Sequence, residues 1–266
     1  MSSIQVHTKT LAAFYDELKL IIQNLELSSR IRAIINETTR WETLQQEQRN
    51  SIKEFLKVEA APNRTVSNSL FMSSVSGFEN FLRNLLSSVL REMESSKNIP
   101  EAIRNRNLQL SGVALSKLYS PPSHVKLDYE RITQKIGTCY SKEVKLNEEI
   151  SFFIKSILEL DNVITFLKDC DIKIDWDDFS ASDDIKSFLG TTNPRETGKA
   201  LKKQIKEYVE SRNRIAHTGL NSSDLALNEV NRAINFFLFI AQFLTDQSEA
   251  QLNLKYKPNR VGGREL

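Results

Sequence analysis

Glu210-Ser211-Arg212-Asn213-Arg214-Ile215-Ala216-His217-Thr218-Gly219 closes a segment in which Leu201, Ile205, Tyr208, Arg212 and Ile215 fall at steps of four and three. Residues so spaced lie one above another on an α-helix, so the segment predicts a helix with a single inward face. Thr192-Asn193-Pro194 is its expected start, a capping side chain ahead of a proline at the first helical position. Gly219 is its expected stop, because glycine readily takes the left-handed conformation that ends helices. The inward register includes Arg212, and a guanidinium turned toward a core needs a partner. Asn213 and His217 are four apart and share a second face. An arginine, an amide and an imidazole therefore converge near one helix end. A guanidinium holds phosphate bidentately, and imidazole moves protons near neutral pH. The plain alternative is that a histidine and an arginine in a last turn merely suit the negative end of the helix dipole.

Reading outward, Asn221-Ser222-Ser223-Asp224 is a cap for a last helix with Leu227, Val230, Ile234, Phe237, Ile240, Ala241 and Leu244 on one face. Phe236, Phe239 and Phe243 widen that face nearly all round, which points to burial in the core or at a subunit interface. Upstream, Phe71, Val75, Phe78, Leu82, Leu85 and Val89 mark a buried bundle helix opening at Asn68 or Ser69. Glu79 sits at its polar edge, either as an ordinary solvated glutamate or as a carboxylate that orients His217. Leu11, Phe14, Leu18, Ile21, Ile22 and Leu25 define a first amphipathic helix, and Ser28 or Ser29 caps a second running to Leu56. Ala60 to Thr65 reads as a linker, since proline disfavours helix at the residue before it. From Glu94 to Ser123 the pattern breaks, as in a surface connection or an insertion carrying contacts. Helices are expected over Val125 to Ile136 and Ile150 to Leu167, and an acidic solvated loop anchored by Trp176 and Phe179 over Asp171 to Asp184. The predicted organisation is all-α: an N-terminal helical hairpin (1–60), a helical domain (66–247) with an insertion around 94–123, and a flexible basic tail (248–266).

Composition agrees. Eight glycines and six prolines in 266 residues are few, and helix-favouring residues dominate. A net charge of +2 excludes a protein-wide field for nucleic acid, so any electropositive surface is local. Between Arg195 and Arg214 there are seven basic side chains against three glutamates, the one locally basic helix. Cys139 and Cys170 form no CxxC pair, and His7, His124 and His217 have no zinc-ligand spacing, so neither metal nor cofactor is expected. The aspartates at 175–184 lack the spacing of a calcium loop. The N-terminus shows no basic region leading into an apolar run, and Phe236 to Leu244 is too short to span a bilayer. The expectation is a cytoplasmic protein with no membrane partner.

Arg212-Asn213-Arg214-Ile215-Ala216-His217 resembles the Arg-polar-x-x-x-His signature of the HEPN superfamily of all-helical ribonucleases and nucleotide-binding domains. The helices before and after it are laid out as in that superfamily. Ser76-Gly77-Phe78-Glu79-Asn80-Phe81-Leu82 is similar to the early helix of HEPN proteins near the RiboL-PSP and MAE-type groups of prokaryotic defence loci. The resemblance covers roughly Ser67 to Thr245 and leaves the N-terminal hairpin and the 94–123 insertion aside. It implies a HEPN-like bundle and metal-independent RNA cleavage, plausible for a toxin or antiviral effector. In that role His217 is the general acid–base group, Arg212 stabilises charge on the phosphate, and Asn213 positions either. Glu79 would support them, and Arg214, Lys206, Lys203 and Lys202 would bind RNA. It further implies a homodimer with a composite site, and a regulatory protein or antitoxin as partner. The alternative is a non-catalytic helical module that binds RNA, a nucleotide or a protein.

Overall fold

A computed structural model of the chain describes residues 9–23, 46–96, 99–118, 127–139, 141, 143–218 and 225–256, the side chains of 46–64, 96, 255 and 256 apart. Among them all regular structure is helical. The helices are α1 (9–23), α2 (Gln46–Ser96), α3 (Glu101–Leu115), α4 (Tyr129–Thr138), α5 (Leu160–Asp169), α6 (Trp176–Ala181), α7 (Asp183–Leu189), α8 (Pro194–Thr218) and α9 (Leu227–Tyr256), with a 3-10 turn at Glu148–Phe153. The chain divides into two compact units. The first takes residues up to 12, 79–202 and from 240 onward; the second takes 13–78 and 203–239.

The second unit is held by an aromatic column. Phe78 of α2 stacks on Phe237 of α9 at 4.7 Å, and Phe14 of α1 lies 6.1 Å from Phe78. Phe14, Leu18 and Ile21 of α1 are buried, as their spacing predicts. The Glu17 carboxylate lies over Gly77 of α2, where an added Cβ would be 3.1 Å from it. In the first unit the α2 stripe continues through Leu82, Leu85, Leu86, Val89 and Leu90, all fully buried. Ile240, Ala241 and Leu244 of α9 are buried in the same way. Cys139 and Cys170 are buried and unbridged.

Five local expectations are corrected. No linker interrupts Ala60 to Thr65, because α2 runs unbroken through Pro62. A proline removes one backbone bond from a helix interior, and the 51-residue helix persists across that loss. The 94–123 stretch is largely helical: α3 buries Ile103, Asn107, Ser111 and Ala114 at steps of four and three, and half of that stripe is polar. Ile150 to Leu167 is not one helix. A positive φ of 48° at Ser156 breaks it, and the Asn162 amide donates to the Lys155 and Ser156 carbonyls, 3.1 Å each. The acidic loop is α6 and α7, with Asp175 and Asp178 forming a reciprocal capping box. Gly190 then closes α7 at φ 67°. Finally, the segment from Ser248 continues α9 to Tyr256, with Ser248 and Leu252 buried. The second N-terminal helix up to residue 45, Gly219, the cap at 221–224 and residues from 257 lie outside the described residues.

Candidate functional site

The cap read from the sequence is present: the Asn193 side-chain oxygen accepts from the Glu196 backbone N–H at 2.9 Å, with Pro194 first in α8. At the far end Ile215 is 2 % exposed and anchors the last turns of the helix in the second unit. The Thr218 hydroxyl donates back to the Arg214 carbonyl, one of the carbonyls the helix end leaves open.

Arg212 shares the buried stripe with Ile215 but is only half-buried. Its Nη1 donates to the Asn213 Oδ1 at 3.2 Å, so the guanidinium reaches toward the exposed face instead of pointing into the core. That reach supplies the partner an inward arginine needs and keeps the charge in contact with water. Asn213 and His217 are both exposed, one turn apart on α8. Among the described residues no hydrogen bond joins His217 to either. Arg214 is exposed and donates from Nη2 to the Ser211 hydroxyl at 3.2 Å.

The lysines divide. Lys203 and Lys206, in the second unit, form exposed i,i+4 pairs with Glu207 at 3.7 Å and Glu210 at 3.8 Å. Such pairs are weak and easily given up to a polyanion. Lys202 belongs to the first unit, where its ammonium lies 4.6 Å from the centre of the Trp176 ring. The Trp176 N–H in turn donates to Asp161 at 2.6 Å, fixing the platform. Glu79, also in the first unit, is half-buried and accepts from Arg83 Nη2 at 2.9 Å. Arg83 Nη1 donates to the Ser151 carbonyl at 2.7 Å, so the glutamate's charge already has a partner within its own unit.

Tyr208 counts in the sequence only as a stripe position. Its ring is packed by Phe71 at 6.0 Å, Phe236 at 5.3 Å and Phe237 at 5.4 Å. Burial pushes its phenol up to about 12, with Arg232 opposing and Glu207 and Glu229 adding to the rise. It stands one turn before Arg212 on the same face, which is the signal that marks it.

A family model described as RiboL-PSP-HEPN matches residues 16–250. The chain belongs to that family. The match takes in α8 with its Arg-polar-x-x-x-His motif, and it reaches beyond the segment the motif-based resemblance covers. It includes the 94–123 stretch and most of the segment expected to form the N-terminal hairpin, so α3 is part of the RiboL-PSP-HEPN region itself. No match was found among curated proteins or solved structures. Among the described residues of this RiboL-PSP-HEPN chain, no helix is long and apolar enough to cross a membrane.

Proposed function

We propose that this RiboL-PSP-HEPN chain is a metal-independent endoribonuclease that works as a homodimer in the cytoplasm. In this reading it is a toxin or antiviral effector, held in check by a regulatory protein or antitoxin. The observation that carries the reading is the Arg212–Asn213 contact at the solvent-facing end of α8, one turn from an exposed His217. His217 takes the proton from a ribose 2′-hydroxyl, whose oxygen attacks the adjacent phosphorus. Arg212 stabilises the charge that builds on the phosphate oxygens, and Asn213 holds the guanidinium in place. The bond from phosphorus to the 5′ oxygen breaks as that oxygen takes a proton from water, and the products are a 2′,3′-cyclic phosphate and a 5′-hydroxyl. Lys203, Lys206 and Arg214 supply positive charge along the incoming strand. Lys202, held on Trp176, and Glu79, paired with Arg83, belong to the first unit and take no part in this step.

One observation favours a rival. His217 has no hydrogen bond to Arg212 or Asn213 among the described residues, as expected of a module that binds RNA or a nucleotide without cutting it. A composite site completed by a second copy accounts for the same fact. The deciding experiment incubates wild type and His217→Ala with total RNA and with tRNA in excess EDTA and maps the product ends. Cleavage by wild type, reduced roughly a hundred- to ten-thousand-fold in the variant, with cyclic phosphate ends, is the expected result. Equal cleavage by both proteins sinks the site assignment. No cleavage by either, with both folded, selects the binding module.

A further inference from the structure

Tyr208 is half-buried and combines a ring packed among aromatic side chains with an unengaged hydroxyl. Three phenylalanines of α2 and α9 fix the ring within the second unit, so the phenol oxygen has little freedom to move. Among the described residues that oxygen has no hydrogen-bond partner. The residue is only half-buried. A phenylalanine would fill the aromatic column equally well, so packing alone leaves the hydroxyl unexplained. Four residues on, Arg212 stands on the same face of α8, and its guanidinium turns from there toward Asn213. The hydroxyl thus belongs to a residue held one helical turn from Arg212, the residue assigned to the phosphate.

We infer that the Tyr208 hydroxyl is a substrate contact, donating a hydrogen bond to a backbone phosphate oxygen of RNA beside the nucleotide held by Arg212. The inference rests on the ribonuclease reading of the α8 motif and adds a binding residue to the same site. A phenol is protonated throughout the neutral range, so it meets the phosphate as a donor and never as an anion. One fixed donor positions the strand at no conformational cost to a flexible side chain.

The test measures binding of a fluorescently labelled single-stranded RNA by anisotropy, in the His217→Ala background so that nothing is cut. Tyr208→Phe is added to that background, and thermal unfolding is followed on both proteins. An unchanged melting temperature with binding weakened about tenfold, the loss of one hydrogen bond to a charged group, is the expected result. Unchanged affinity at unchanged melting temperature overturns the inference. A lowered melting temperature with unchanged affinity also overturns it, by making the hydroxyl a structural group. If His217→Ala alone binds no RNA, the reading of the α8 site fails first, and the Tyr208 assignment falls with it.

Discussion

Asn107 is fully buried on α3, and its amide imitates a backbone. Its Nδ2 donates to the Asn147 carbonyl at 3.2 Å, and its Oδ1 accepts from the Asn147 N–H at 3.3 Å. The Asn147 side chain then donates to the Ser111 hydroxyl at 2.7 Å and to the Ile132 carbonyl at 3.3 Å, tying the approach to the 3-10 turn to α3 and α4. Asn107→Ala strands two buried backbone groups, and a loss of about 2–4 kcal/mol is expected in urea unfolding. The sequence hid this role, because Arg104-Asn105-Arg106-Asn107 looks like a solvated run. Arg212 was legible as a helix position but not as a conformation. Periodicity turns it inward, whereas its hydrogen bond to Asn213 directs the guanidinium toward the exposed face.

Among the elements, α2 departs furthest from local rules. A proline in a helix interior costs about 3 kcal/mol relative to alanine, which is why Pro62 reads as a boundary. The structure carries the helix through it, and the following turns bury Phe71, Val75, Phe78 and Leu82. Tertiary burial over many residues outweighs one unfavourable position. Pro62→Ala should therefore stabilise the chain by about 1–3 kcal/mol, read as a higher urea midpoint; a linker at this position would respond little or lose stability. The segment from Ile150 to Leu167 shows the converse. Its apolar spacing suits a helix, yet Asn162 bonds the Lys155 and Ser156 carbonyls and stabilises a turn there. α8 obeys both levels at once, with its Asn193 cap, its stripe and its anchoring Ile215 all in agreement, and it was the most legible element.

At the scale of the whole molecule, one carboxylate links three elements of the first unit. Glu148 on the 3-10 turn accepts from Arg91 Nε of α2, and from Arg131 Nη2 of α4 at 2.7 Å. Burial by itself would raise its pKa, but the Arg91 hydrogen bond and charge, with Lys135 and Arg131, outweigh that and hold the carboxyl below its ordinary range. A carboxyl depressed in the folded state adds stability above its unfolded pKa, and that contribution is lost as pH falls through the folded value. Wild type should therefore lose urea stability on acidification through and below the ordinary carboxylate range. Glu148→Gln should be less stable at neutral pH and flatter in this region. Equal slopes for the two proteins would show that Glu148 does not link folding to acid.

Helical class, the positions of α1 and α8, the apolar face of α9 and the Arg-polar-x-x-x-His motif were determined by the sequence itself. Each rests on local periodicity or on residue types that act at short range, and the family match agrees with the family resemblance. Other features were decided only by the tertiary structure: the passage of α2 through Pro62, the buried polar stripe of α3, the direction taken by Arg212 and the aromatic packing of Tyr208. These depend on partners far away in the chain, as Asn107 depends on Asn147 and Tyr208 on Phe236 and Phe237. Periodicity reports which side of a helix is apolar, and only packing determines which neighbour meets it and which polar atoms are left for a ligand.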